Sequence, residues 1–303
     1  MTDATPLPRA HLVRGILLGL AAALSWGLYN VGVEIGHASG FHAADLTLLR
    51  YGVAAILLAP VALYGLRGHV TLWQVAVLSA LIGPGFAMLL NTGFSMAPLA
   101  HAVVIAPGMS MLTANTLERL STGRPLSLNR RVGMAILLLG LMAIAADQPP
   151  PKTVDGSVLL GDLCFVASGT LWGTFTWLMG RWKLPPVRAT AGIATLSTAI
   201  FLPIYLIVWG VTPLPAHLWV EQALYQGAIG GCLAFVFYAA AVGMLGAGRA
   251  ALFSALVPPT AVLLAIPIAA QVPGPLQWAG VALVSIGLSV SLELVGRHLK
   301  SLR

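Results

Sequence analysis

Residues 68–117 read GHVTLWQVAVLSALIGPGFAMLLNTGFSMAPLAHAVVIAPGMSMLTANTL, fifty residues without a single Asp, Glu, Lys or Arg. A helix needs roughly 20 apolar residues to cross a hydrocarbon layer about 30 Å thick. The stretch therefore holds two membrane spans, and a second uncharged run from Ala250 to Leu292 holds two more. Across the 303 residues 58% are hydrophobic and 8% are charged, against about 25% charged in an ordinary soluble domain. A water-surrounded core cannot absorb that apolar surface, so the chain reads as an all-α integral membrane protein.

The other broad classes lose support in turn. A net charge of +7 suggests nucleic acid, but the basic residues stand singly or in small groups between apolar segments, without the basic stripe and interleaved aromatics that such binding needs. Cys164 and Cys232 are isolated inside apolar runs, which fits small buried hydrophobes better than zinc ligands or a disulfide framework. Arg9 and Arg14 ahead of the apolar run from Gly15 to Val33 imitate a signal peptide. That run is long enough to span and is followed by further spans, so it is expected to stay as the first helix.

Breaks at charges, Gly and Pro predict helices near residues 15–35, 43–64, 71–94, 98–119 and 131–146, then 157–180, 188–209, 218–244, 249–270 and 276–296. With ten spans, 14 of the 16 Lys and Arg residues fall in the even-numbered loops and the two tails. Only Lys152 lies in a loop on the opposite side, and Arg50 lies within a span. Positive charge collects on the cytoplasmic side, so both termini are expected there, in a bacterial inner membrane. The stretch Asp147-Gln-Pro-Pro-Pro-Lys-Thr-Val-Asp155 reads as a linker. It divides the chain into a first unit of 1–148, an external linker of 149–156 and a second unit of 157–303.

The two units match each other. Gly15, Trp26 and Gly27 fall on Gly161, Trp172 and Gly173 at a shift of 146, as does Leu72-Trp73 on Leu218-Trp219. Ile82-Gly83 matches Ile229-Gly230, Pro107 matches Pro258, Pro125-Leu126 matches Pro275-Leu276, and Gly133 with Gly140 matches Gly280 with Gly287. The ordered succession indicates a duplication, and five helices per unit force the copies into opposite orientations. Inverted repeats that meet near the membrane midplane are a common transporter architecture, which makes transport the expected function by association.

The residues also resemble a known group, the drug/metabolite transporter superfamily, and within it the ten-helix exporters made of two EamA-type domains. The resemblance rests on Leu24-Ser-Trp-Gly-Leu-Tyr-Asn30, Leu48-Leu-Arg-Tyr51, Ala250-Ala-Leu-Phe-Ser-Ala-Leu-Val-Pro258 and Gln277-Trp-Ala-Gly-Val-Ala-Leu-Val-Ser-Ile-Gly287. Many members carry a Gly-Glu pair after the helix that holds the counterpart of Pro258; this chain has Ala270-Gln-Val-Pro273 there, and Leu117-Glu-Arg-Leu120 in the first half. The resemblance implies export of amino acids, their analogues or other small metabolites without ATP hydrolysis.

Polar groups inside spans are costly and should face the bundle interior or a wet cavity. On the first helix Trp26, Asn30 and Glu34 recur at four-residue spacing and share a face. Each also has a plainer reading: packing for Trp26, an interhelical hydrogen bond for Asn30, a solvated helix end for Glu34. Arg50, about 12 Å along its helix, is expected to pair with Glu34, with a bidentate grip on a substrate carboxylate as the alternative.

Further along, His101 is a coupling candidate through its titration near neutral pH, though a merely hydrogen-bonded histidine fits as well. His101 and Asn115 flank Pro107, and Pro107 with its counterpart Pro258 marks candidate hinges. Asn91, Trp172, Thr176, Trp177, Tyr238 and Ser254 complete a candidate pathway with aromatic faces and a few hydrogen bonds. Plain packing of these aromatics is the competing account.

Enzyme chemistry finds no footing, since His-Glu-x-x-His, Gly-x-Ser-x-Gly and a P-loop are all absent from the sequence. No metal or cofactor is expected, and the expected partners are a small-molecule substrate and the lipid bilayer. An intramembrane enzyme or a non-transporting scramblase, channel or assembly protein stands as the alternative.

Overall fold

The computed structural model describes residues 9–64, 70–97, 99–147, 157–269 and 272–292, which are helical with no strand among them. The linker expected at 149–156 and the outer parts of both tails lie outside the described residues. The first half comprises α1 (Arg9–Ala38), α2 (Ala43–Leu57), α3 (Ala59–Tyr64), α4 (Leu72–Ile82), α5 (Pro84–Met96), α6 (Leu99–Thr122) and α7 (Leu128–Ala146). In the second half come α8 (Val158–Trp182), α9 (Pro186–Val208) and α10 (Ala216–Gln222), followed by a π-helical segment Ala223–Leu233 that runs into α11 (Ala234–Leu245). Next are α12 (Ala247–Ala250), a 3₁₀ segment Ala251–Leu256, α13 (Val257–Ala269) and α14 (Pro275–Ser291).

Among the described residues, seven helical stretches are long and apolar enough to cross a membrane. The remaining expected spans differ for visible reasons. The stretch 43–64 is interrupted at Leu58, α6 carries Glu118 and Arg119 in its final turns, and α14 has 17 residues. Local chemistry sets the boundaries: Thr71 accepts from the Gln74 backbone while the Gln74 side chain accepts from Thr71 N, closing a capping box at the start of α4. Pro84, Pro186 and Pro275 each open a helix, where a missing N–H costs nothing.

The expected third span is broken rather than continuous. The chain turns at Gly83, where α4 ends and Pro84 opens α5, so the Ile82 carbonyl has no donor four residues on within its own helix and takes its hydrogen bond from the buried Tyr51 hydroxyl at 2.5 Å. Its counterpart in the second half, around Ile229-Gly230, is the π-helical segment. Both copies of this helix thus lose α-geometry at the matched place.

The packing repeats with the halves exchanged. α1 lies against α11 as α8 lies against α5, α1 against α13 as α8 against α6, and α2 against the π-helical segment as α9 against α4. The match extends to single residues. A Cβ on Gly27 would stand 3.0 Å from Ala261 N, and one on Gly173 3.1 Å from Ala114 N. Ala114 and Ala261 are 147 residues apart.

α7 and α14 pack backbone to backbone along their length. A Cβ built on Gly133 would lie 2.6 Å from the Gly287 carbonyl oxygen, and one on Gly140 2.9 Å from that of Gly280. Reciprocally, Gly280 would meet Gly140 O at 2.6 Å and Gly287 would meet Gly133 O at 2.8 Å. Since the earlier glycine of one helix faces the later glycine of the other, α7 and α14 run antiparallel, as the last helices of oppositely oriented copies must. Backbone contact of this kind is how small residues join helices where lipid removes the hydrophobic drive.

The other small-residue pairs noted in the sequence also serve as contacts: Gly32 against Tyr225 and Gly36 against Gln222, Gly169 and Gly173 against α6, and Gly227 and Gly231 against α2. The first large core cluster, between the halves, contains Trp26 and Trp172.

Candidate functional site

At the centre, Trp26 of α1 and Trp172 of α8 meet edge to face with ring centroids 5.0 Å apart. They are the equivalent tryptophans of the two halves. α1 reaches this point because its small residues let α11 and α13 close on it, which turns the ring at position 26 inward. Around the pair stand Phe235 (5.7 Å from Trp26), Tyr238 (5.2 Å from Trp26 and 5.6 Å from Trp172), Phe86 (5.7 Å from Trp172) and Phe175 (5.5 Å from Trp172). Thr176 and Tyr238, both fully buried, share a hydroxyl hydrogen bond of 2.9 Å. The indole Nε1 of Trp26 is buried without an acceptor among the described residues, while that of Trp172 faces the Tyr238 hydroxyl. Trp26, Trp172, Thr176 and Tyr238, chosen from sequence, are thus brought together in one aromatic cage.

Arg50 borders the cage and is 4% exposed. Its expected ion pair with Glu34 does not form: Glu34 is exposed, and Arg50 Nη1 instead donates to the Tyr29 hydroxyl at 3.1 Å. The guanidinium also lies 4.8 Å from the Tyr29 ring centroid, 5.2 Å from that of Phe235 and 5.9 Å from that of Tyr51. The reason is geometric. Tyr29 lies three residues from Trp26 on the inward side of α1, whereas Glu34 has turned out of the bundle.

Asn30 and Glu34 are exposed; Asn30 lies off the exposed apolar stripe of Val13, Leu17, Leu20 and Leu24, whereas Glu34 falls at its edge, about 40° from Leu20. At about 100° per residue, Asn30 is rotated by about 120° from Leu24. An exposed polar side chain off the lipid-facing stripe, as Asn30 is, is what a water-filled approach to Trp26 requires.

The remaining candidates sit apart from the cage. Asn115 is buried and donates to Met111 O and to Gly248 O, tying α6 to α12. Trp177 Nε1 donates to Ser121 Oγ at 3.1 Å, away from Trp172. Ser254 Oγ donates to Ala251 O within the 3₁₀ segment. Asn91, half-buried on α5, makes no hydrogen bond among the described residues. Pro107 stands inside unbroken α6, whereas Pro258 is the second residue of α13, just after the 3₁₀ segment; the register that pairs Ala114 with Ala261 sets Pro107 opposite Ser254, so the two prolines are about one turn out of step.

His101 Nδ1 lies 2.7 Å from Asp162 Oδ1, linking α6 to α8 beside a cleft of about 450 Å³. A second cleft, of about 540 Å³, is an apolar groove between α2, α3 and α9. Neither touches the cage, which is packed shut.

Sequence reasoning missed Tyr29, Phe86, Phe175, Phe235 and Asp162. The first was within reach, since Tyr29 falls inside the quoted Leu24–Asn30 stretch, and Phe175 is its equivalent 146 residues on. It also missed Asp45, 1% exposed, which accepts from the Tyr205 hydroxyl (2.5 Å), Thr212 Oγ1 (2.6 Å) and His42 N (2.8 Å) and so holds α2 to α9. Elsewhere Arg130 donates to Glu118 at 2.6 Å, tying α7 to α6.

Two related halves of long apolar helices, which enclose an aromatic cage with a buried cation at its edge, define a multi-pass membrane protein. The model of the EamA-like transporter family matches residues 13–146 and again residues 159–292, and the chain belongs to that family. It is 26% identical over 280 residues to the uncharacterised transporter YwfM of Bacillus subtilis strain 168, covering 90% of this chain and 92% of that one. A solved crystal structure 19% identical in sequence superposes with a TM-score of 0.73, covering 94% of this chain and 98% of the other, and so shares the fold.

Proposed function

We propose that the chain is a secondary transporter, an exporter of small organic metabolites such as amino acids or their analogues, working by alternating access without ATP hydrolysis. The observation that carries this reading is the contact between Trp26 and Trp172, where equivalent residues of the two halves meet at the centre of the bundle. Two conformers related by exchange of the halves would uncover such a site from either side in turn.

In this reading ten helices span a bacterial inner membrane with both termini in the cytoplasm, and units 1–148 and 157–303 are joined by an external linker at 149–156. Trp26, Trp172, Thr176 and Tyr238 contact substrate, Asn30 and Glu34 line the approach, and Arg50 acts at the cage's edge. Asn91, His101, Asn115, Trp177 and Ser254 serve the pathway or its coupling rather than the cage. Bending at Pro107 and Pro258 moves the fourth and ninth helices, with the 3₁₀ segment before Pro258 supporting the second hinge.

The test is counterflow in proteoliposomes of the purified protein, with labelled amino acids and amphipathic aromatic metabolites. Trans-stimulated uptake that saturates supports a carrier. Flux that neither saturates nor responds to unlabelled substrate on the far side would mean a channel-like protein instead.

A further inference from the structure

We infer that Arg50 is the counter-charge for an organic anion, a carboxylate with an apolar or aromatic body, an inference that rests on the transport reading above. Among the described residues the cation has no acid of its own. Asp45 is held by Tyr205 and Thr212, Asp162 by His101, Glu118 by Arg130 and Asp147 by Gln277. Glu34 is exposed, and Glu221 on α10 forms no ion pair with it. Of the five N–H donors on a guanidinium, one meets an acceptor, the Tyr29 hydroxyl. The Nε donor is buried without one.

The rings of Tyr29, Phe235 and Tyr51 ease the burial of this charge, but ring faces cannot accept its remaining donors as a carboxylate does. Nor does the fold itself need a charge here. The equivalent position 146 residues on is Leu196, half-buried at the corresponding place on α9. An uncompensated cation retained once in a duplicated fold, deep in a membrane segment, points to a mobile partner.

Phe235 supplies the geometry. Its ring centroid lies 5.2 Å from the guanidinium carbon and 5.7 and 5.6 Å from the rings of Trp26 and Trp172, so it bridges the cation and the tryptophan pair. Once the packed rings part, as the transport reading requires, a carboxylate on Arg50 would place its apolar body among them, where the unpartnered Trp26 N–H can serve a second polar atom.

Thermal unfolding of the purified full-length chain in detergent, titrated with phenylacetate, phenylacetamide and phenethylamine, tests this with three probes that share a ring and differ in charge. Phenylacetate is expected to stabilise at about tenfold lower concentration than the amide, and the amine not at all. Arg50→Gln should erase the acid's advantage, and Arg50→Lys should keep part of it, since a point charge lacks the two-pronged fork. Equal action of acid and amide on the wild-type protein, preference for the amine, or no effect of any probe at several millimolar would overturn the inference, and none of these outcomes depends on a variant that folds. Counterflow of labelled phenylacetate separates the two readings. Acid-selective binding without exchange would defeat transport and keep the anion site, whereas equal exchange of acid and amide would keep transport and defeat the anion site.

Discussion

Trp26 and Trp172 occupy equivalent places in the two halves and touch edge to face, 5.0 Å between ring centroids. Each half thereby completes the wall that the other begins.

Replacement of either ring by alanine should lower counterflow by about tenfold or more, whereas Leu139→Ala on α7 or Ile286→Ala on α14, both exposed, should change it little. Truncating a buried Trp also costs about 3–5 kcal/mol of stability, so rates are to be normalised to folded protein. Equal loss at all four sites would mean that the tryptophans only pack.

Gly280→Ala should destabilise the protein by about 1–3 kcal/mol, because the added methyl would lie 2.6 Å from the Gly140 carbonyl oxygen and backbone yields poorly. Gly243→Ala on α11 meets nothing within 4 Å and should be neutral or stabilising by up to about 1 kcal/mol. Melting temperatures of the two variants in one detergent check the order, and its reversal would contradict the α7–α14 packing.

For Tyr51→Phe the expected cost is about 1–3 kcal/mol, since the Ile82 carbonyl at the break between α4 and α5 would be left buried without a donor. A wild-type melting temperature would show that another group satisfies this carbonyl.

A double-mutant cycle of Arg50→Ala with Glu34→Ala should give a coupling below about 0.5 kcal/mol, while Arg50→Ala with Tyr29→Phe should exceed it. The contrast follows from the 3.1 Å hydrogen bond to Tyr29 and the exposure of Glu34. Strong coupling to Glu34 would restore the ion pair that the sequence suggested.

Reporter fusions in the loop at Arg124 should give a cytoplasmic signal, and fusions within 149–156 an external one. A cytoplasmic signal from the linker would contradict both the ten-span topology and the proposed orientation of the tails.

Some of this molecule could be read before any coordinates. Hydropathy and charge placed the helices to within a few residues, because lipid forces long uninterrupted apolar runs. Matched glycines and tryptophans announced the repeat, since close helix approach tolerates few substitutes. What escaped was partnership. Arg50 was visible as a cation inside a span, but which rings surround it depends on the rotation of α1, and the alternatives Tyr29 and Glu34 are five residues apart on that helix. Asp162 was overlooked as the partner of His101 because the two lie 61 residues apart in different halves. The π-helical segment at Ala223–Leu233 carries the same apolar residues as any span, and hydropathy does not distinguish its backbone from an α-helix.

The seam between α7 and α14 is its own mirror partner under exchange: Gly133 on Gly287 becomes Gly280 on Gly140. Such a seam is isologous, so a polypeptide of half this length, ending in this helix, would present a face complementary to itself. Two copies inserted in opposite senses would close on each other through the same contacts. Joining them in one chain fixes their ratio at one to one and turns an encounter between molecules into an event within one, at the effective concentration that a short tether imposes.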